Sequence, residues 1–248
     1  VESLGKSTLF PDEPIYNYFS PSYRRRIQSK LAIVRRQCGG HVGKVLDVGV
    51  GDGDFLDHMA RLGWDVEGTD FSADAARHTS ERLGGKAIHV GQVEQLDLGT
   101  QQYDLVTLWD VLEHVYQPLD ALRAVQSMVR PGGLLIVSVP NLASLESRLL
   151  GRNWGHLDIP RHLSHFTPSS LRKMLQTAGF REIGLTTAYR ILTEHLPRAI
   201  IPGRVAMDHW TSRPGSAAVR VLDDSLSLIT TPLLWMGWGP GLVATSRP

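Results

Sequence analysis

From Lys44 onward the sequence alternates short apolar runs with amphipathic helical patterns, and this alternation restricts the possible folds more than any other feature of the chain. Strands are expected at Lys44–Val48, Asp65–Thr69, Lys86–Val90, Tyr103–Trp109 and Leu134–Val139, and helices at Asp54–Leu62, Ala73–Leu83 and Leu119–Val129. Strand and helix in strict alternation imply parallel strands joined by right-handed helical crossovers, the doubly wound α/β arrangement. Arg130-Pro131-Gly132-Gly133 supplies the punctuation that ends one helix and opens the next strand.

Ahead of this block, residues 1–20 are rich in Pro and aromatics without a sustained period, which suits an irregular arm. Ser22 is placed to cap a helix running to about Gln37, stopped by Gly39-Gly40. That helix carries Arg24, Arg25, Arg26, Lys30, Arg35 and Arg36 and no acid. Such a face can bind RNA or anionic lipid, but a solvated surface with Ile27, Leu31 and Val34 packed beneath is the favoured reading. After Asn141 the alternation breaks for a segment dense in His and Trp (Trp154, His156, His162, His165). Thr167-Pro168 then starts a helix that ends at Gly179, and a strand from Arg181 to about Thr187 follows. Between there and a last strand at Leu242–Thr245 lies an apolar stretch, Leu226 to Trp238, interrupted by Pro232 and Gly237. It is too broken to span a bilayer. Burial as a helix is favoured over a lid for a greasy substrate or a weak membrane contact.

A chain of 248 residues with 42% hydrophobic and 21% charged residues has material for one sizeable core. A net charge of +1 gives no general reason to expect a nucleic-acid partner. The single cysteine, Cys38, excludes an internal disulfide and a cysteine-based zinc site, and no leader-like apolar segment opens the chain, so a cytoplasmic location is expected.

The loop after the first strand reads Asp47-x-Gly49-x-Gly51-x-Gly53. Glycines here allow a ligand to approach the backbone, and the following helix start offers N–H donors. A dinucleotide fingerprint requires a third glycine where Asp54 stands. Asp47, two places before the first glycine, would repel a pyrophosphate but suits a ligand carrying an ammonium. Asp70 closes the second strand, where a carboxylate accepts ribose hydroxyls, a position equally compatible with a nicotinamide dinucleotide.

Taken with Gly91-Gln92-Val93-Glu94, Tyr103-Asp104-Leu105-Val106-Thr107-Leu108-Trp109-Asp110-Val111-Leu112-Glu113-His114-Val115, Arg130-Pro131-Gly132-Gly133-Leu134, Val139-Pro140-Asn141 and His162-Leu163-Ser164-His165-Phe166-Thr167-Pro168, this spacing resembles the Rossmann-like (class I) S-adenosylmethionine-dependent methyltransferases. Within them it is most similar to the ubiquinone-biosynthesis O-methyltransferase-like branch. The resemblance runs from about Val45 to Phe180. It implies a seven-stranded, mostly parallel sheet with an antiparallel last strand and helical lid inserts. The whole chain, 1–248, would be one methyltransferase domain: an arm and helix over 1–40, a cofactor-binding half over 41–140, and lid or substrate inserts at 141–167 and 191–238. It also implies S-adenosylmethionine as cofactor. Asp47, Gly49, Gly51 and Gly53 would hold its methionine part, Asp70 its ribose, Gln92 and Val93 its adenine, Trp109 would flank the methyl group, and Phe71 would be a further cofactor-binding residue. The relatives usually carry an acid where Gln92 stands, but an amide carbonyl still accepts from the adenine amino group.

Methyl transfer from a sulfonium needs alignment, exclusion of water and, for a hydroxyl acceptor, a base. His165 is the first candidate for that base and His162 the second. Asp110, Glu113 and His114 form another polar group beside the fourth strand, read here as ordering the loop or assisting catalysis and not as a metal site. A small-molecule hydroxyl acceptor is expected (sugar, phenol or lipid-linked metabolite). N-methylation, an RNA acceptor, a nicotinamide oxidoreductase and a non-catalytic cofactor-binding regulator are the alternatives.

Overall fold

The computed structural model describes residues 21–96, 102–188 and 239–248. The expected arm over 1–20 and the whole insert over 191–238, with its apolar stretch from Leu226 to Trp238, lie outside the described residues.

Seven strands form one sheet in the order β3-β2-β1-β4-β5-β7-β6. They are β1 (Lys44–Val48), β2 (Asp65–Asp70), β3 (Ile88–Val90), β4 (Tyr103–Trp109), β5 (Val129–Pro140), β6 (Arg181–Ala188) and β7 (Gly241–Arg247). The first five run parallel, and β7 is antiparallel to both β5 and β6, between which it lies. The helices are α1 (Pro21–Cys38), α2 (Asp54–Arg61), α3 (Ala73–Arg82), α4 (Pro118–Met128), α5 (Leu145–Leu150) and α6 (Pro168–Thr177). Nearly every expected element forms within a few residues of its expected ends. The fifth strand is the exception: it begins at Val129, paired with Tyr103, because the Arg130–Gly133 turn is absorbed as an irregularity between Tyr103 and Leu105. Among the described residues no helix is long and apolar enough to cross a membrane.

Central strands buried on both faces distribute their side chains by the period of two. Leu46, Val106, Leu135 and Val137 face a core closed by Leu122 and Val125 of α4 and Leu171 and Leu175 of α6. Val45, Leu105 and Ile136 face the opposite core, closed by Ile27, Leu31 and Val34 of α1 and Phe55, Leu56 and Met59 of α2. The apolar stripe expected beneath the basic helix is therefore buried as read.

One position decides how closely α2 approaches the sheet. Gly68 of β2 lies opposite Asp47, and a Cβ there would sit 2.3 Å from Val50 Cγ1, 3.0 Å from Leu56 Cδ1 and 3.2 Å from the Asp47 carbonyl oxygen. The close helix-to-strand packing that a dinucleotide fold obtains from its third glycine is obtained here on the strand side, which leaves Asp54 free to carry a side chain. Gly68→Ala is expected to destabilise the protein by about 1–3 kcal/mol through overpacking. Urea unfolding would register this as a lower midpoint at an unchanged slope.

Candidate active site

Parallel strands bring the carboxyl ends of β1, β2, β3 and β4 to one edge of the sheet, where this architecture binds ligands. The turn leaving β1 has Gly49 at φ 78°, Gly51 at φ 54° and Gly53 at φ 74°, all in the left-handed region that side chains disfavour. A Cβ on Gly49 would also lie 2.5 Å from Val111 Cγ2.

The amides of this turn are already engaged. Gly49 and Val50 N–H donate to Thr69 O at 2.7 and 3.1 Å, and Gly53 N–H donates to Val50 O at 3.0 Å. Gly51 N–H donates to Asp70 Oδ2 at 3.0 Å and Asp54 N–H to Asp52 Oδ1 at 3.0 Å. In a dinucleotide fold, donors at such a turn face a pyrophosphate; here two are capped by carboxylates that would repel one. This is the physical argument against the nicotinamide reading.

Asp70 ties the neighbouring strands to the turn. Its Oδ1 accepts from Ser72 N–H at 2.9 Å, its carbonyl accepts from Gly91 N–H at 2.8 Å, and burial pushes its carboxyl above the usual range. The last contact sets the exit of β3, with Gln92 exposed and Val93 buried, beside Asp70, while Phe71 stands 61% exposed. The sequence-expected residues Asp47, Gly49, Gly51, Gly53, Asp70, Phe71, Gln92, Val93 and Trp109 thus lie on the carboxyl ends of four adjacent strands or in the turns leaving them.

Asp47 is buried between Gly68 and Thr107 of the flanking strands, and Thr107 Oγ1 donates to its Oδ1 at 2.5 Å. Burial raises its pKa to about 7 against the pull of Thr107 and of the Lys30 ammonium. Lys30 corrects an expectation: it does not belong to the solvated basic face of α1. Its Nζ lies 5.2 Å from the centroid of the Trp109 ring, and burial lowers its pKa against the opposing charges of Asp110 and Asp47. The signal was present, since Ile27, Lys30, Leu31 and Val34 form an i, i+3, i+4, i+7 stripe with Lys30 inside it. Thr107, a polar residue in an otherwise apolar central strand, was similarly available to inspection. Trp109 is itself buried, stacks edge-on against Phe55 at 5.4 Å, and its Nε1 has no partner among the described residues.

Beyond Trp109 the chain turns through Asp110 at φ 57°, whose Oδ1 accepts from Ser138 Oγ at 2.9 Å. Next come Glu113 and His114, against which the 154–166 segment packs. Glu113 O accepts from Leu163 and Ser164 N–H at 2.8 and 3.1 Å. Each of three imidazoles meets a carbonyl of that segment: His114 Nδ1 with Arg161 O at 3.0 Å, His162 Nδ1 with His156 O at 2.7 Å, and His165 Nε2 with Leu157 O at 2.9 Å. A carbonyl cannot donate, so each of these nitrogens carries hydrogen, and the neutral rings keep their lone pairs at Nε2 of His114, Nε2 of His162 and Nδ1 of His165. The His114 and His162 rings meet edge to face at 4.7 Å, and His165 lies 6.3 Å from His162. Glu113, His114 and His162 each offer a ligand atom within 4.8 Å of the others. Burial and the nearby Asp110 hold the Glu113 carboxyl well above its usual range, and its Oε2 has no partner among the described residues. Burial lowers the His162 pKa, leaving the ring neutral at pH 7. Of the four sequence-expected acceptor-side residues, Glu113, His114 and His162 converge in an arrangement able to hold a proton or a divalent cation, and His165 lies beyond His162.

A fold of this order with this site defines a class I methyltransferase. The methyltransferase domain family model matches residues 22–183, and the chain belongs to that family; S-adenosylmethionine is its methyl donor. Similar relatives are the ubiquinone biosynthesis O-methyltransferase of Aliivibrio fischeri, 32% identical over 169 residues covering 63% of this chain and 72% of that protein, and that of Acinetobacter baylyi, 32% identical over 180 residues covering 67% and 76%. Among solved structures, a Pyrococcus horikoshii protein aligns with a TM-score of 0.65 at 16% identity over 98% of this chain and 100% of its own. A SAM-dependent methyltransferase from Archaeoglobus fulgidus aligns with a TM-score of 0.59 at 20% identity over 90% and 94%.

The raised Asp47 pKa fixes the sign of a stability test. A carboxyl at 3.8 when unfolded and about 7 when folded favours the folded state at low pH, and that contribution is lost as pH rises through about 7. Asp47→Asn, which stays neutral, should therefore gain in Tm relative to the wild type as pH goes from 5 to 8 in the absence of cofactor. Thermal scans at matched ionic strength check this, and a pH-independent difference would refute it.

Proposed function

We propose that this methyltransferase acts on a hydroxyl of a small-molecule acceptor (phenol, sugar or lipid-linked metabolite), with His162 receiving the hydroxyl proton. The acceptor oxygen attacks the methyl carbon in line, the carbon–sulfur bond breaks with its electron pair left on sulfur, and the proton passes to the imidazole. Hydroxyl chemistry accords with the O-methyltransferase names of the curated relatives.

On the donor side, the ammonium of the methionine part pairs with ionised Asp47, and its carboxylate with Lys30 beside it. The glycine turn lets that part approach the backbone. Asp70 accepts from the ribose hydroxyls, Phe71, Gln92 and Val93 flank the adenine, and the Trp109 ring faces the sulfonium. S-adenosylhomocysteine should accordingly bind more weakly below pH 7, by up to about tenfold per unit, because protonated Asp47 must release its proton first. Calorimetry from pH 5.5 to 8 measures this, and Asp47→Asn should both weaken binding and flatten the profile.

The observation that carries the choice of base is the hydrogen bond from His162 Nδ1 to the His156 carbonyl, which leaves a lone pair on Nε2 of a ring kept neutral by burial. His165, the first candidate from sequence, gives its Nε2 hydrogen to Leu157 and stands farther from Glu113 and His114 in the chain of rings. His162→Asn, which can keep the contact to His156, is expected to lower labelled-methyl incorporation into the small-molecule fraction of a cell extract by about a hundredfold or more. Affinity for S-adenosylhomocysteine should change little. Equal losses in both measurements would make His162 structural.

The convergence of Glu113, His114 and His162 favours one second reading, in which a divalent cation on this set activates the hydroxyl. Loss of turnover on dialysis against a chelator, restored by added cation, would decide for it; turnover unchanged by chelation decides for the free imidazole.

A further inference from the structure

The donor-side turn is held from behind by the second half of α3, the helix that follows Asp70. Thr79 of α3, fully buried, donates from Oγ1 to Gly51 O at 3.2 Å. One turn further along α3, Arg82 Nη1 donates to Asp52 O at 3.2 Å, while its Nη2 meets the carboxylates of Asp54 and, at 3.3 Å, Asp57. Arg82 is 30% exposed and the two carboxylates 14% and 16%, so these charges are partly withdrawn from water. The grouping of Asp54, Asp57 and His58 thus has a cation supplied by the protein itself. Asp54 is the residue that displaces the third glycine of a dinucleotide fingerprint, and this contact gives it a purpose.

We infer that Thr79 and Arg82 are positioning residues for the methionine half of the cofactor, clamping the carbonyls of Gly51 and Asp52. A trans peptide is planar, with its C=O and N–H opposed, so holding the Gly51 carbonyl toward α3 turns the Asp52 N–H away from it. Two consecutive carbonyls anchored to one helix fix two consecutive peptide planes in a glycine-rich turn, adding to the amide contacts that already restrain it. Gly53 completes the fit, since a Cβ there would lie 2.6 Å from Thr79 Cγ2. Asp70, on the ribose side, shares Gly51 with this turn through the Gly51 N–H but has a second anchor in the Ser72 N–H, outside the two clamped peptides. The clamp therefore bears more on the methionine half of the ligand than on the ribose. This rests on the donor-side reading above.

The test uses two ligands, S-adenosylhomocysteine and methylthioadenosine, which keeps the nucleoside but lacks the amino-acid part, titrated calorimetrically into the full chain. Arg82→Ala and Thr79→Val should weaken S-adenosylhomocysteine by about tenfold, the equivalent of about 1.4 kcal/mol, and methylthioadenosine by less than about twofold. Thr79→Ser, which keeps the hydroxyl, should restore wild-type affinity, and Thr79→Val keeps the question answerable if Arg82→Ala does not fold. Equal weakening of both ligands would overturn the inference by making the pair generally structural. Unchanged S-adenosylhomocysteine affinity in both variants, with the wild type binding normally, would overturn it alone. Failure of the wild type to bind either ligand would overturn the donor-side reading and this inference together.

Discussion

The arrangement depends on a carboxylate placed where burial disfavours its charge. Asp47 is the penultimate residue of β1, an interior strand of the sheet, covered by neighbours on both sides, with one hydroxyl as hydrogen-bond donor and one ammonium opposing the desolvation. Without a ligand that balance leaves it about half ionised at pH 7. A buried group in this state gives up stability and is retained where a ligand can complete its shell. A sulfonium amino acid, with an ammonium to offer, can do so. A pyrophosphate cannot, and the carboxylates of Asp52 and Asp70 already occupy two of the turn amides it would need.

Much of this was legible in the sequence because the relevant information is local. Strand-and-helix alternation carries the fold, and the Asp47-x-Gly49-x-Gly51-x-Gly53 spacing carries the turn, since left-handed backbone at three alternate positions admits little but glycine. What escaped is what depends on the opposite end of a side chain. Lys30 looked like one more charge on a basic helix until its ammonium proved to lie over Trp109, although its place in the apolar stripe already set it apart. The tautomers of His114, His162 and His165 were beyond sequence reasoning altogether. They follow from which carbonyl each ring meets, and those carbonyls belong to an irregular segment with no periodicity to read. Asn141 is a similar case. Its amide joins the end of β5 to Gly239, nearly a hundred residues later, by a hydrogen bond of 2.8 Å.

Donor and acceptor sides are not electrically separate, and Asp110 is where they meet. Its charge is felt by Lys30 on one side and by Glu113 and His156 on the other. It is held there by backbone in the left-handed region, uncommon for a residue with a side chain though least so for Asp and Asn, and by hydrogen bonds with Ser138 through both side chain and main chain. A carboxylate fixed between the two half-sites opposes a second negative charge on Glu113 and supports a positive one on a nearby imidazole. Methyl transfer to a hydroxyl requires this polarity, because the sulfonium loses its charge as the base gains one. On the reading proposed here, the positive charge migrates from sulfur to the His162 imidazole, where Asp158 favours the protonated form against burial and the neighbouring His114, while Asp110 acts on Lys30 at the donor side and on Glu113 and His156 at the other.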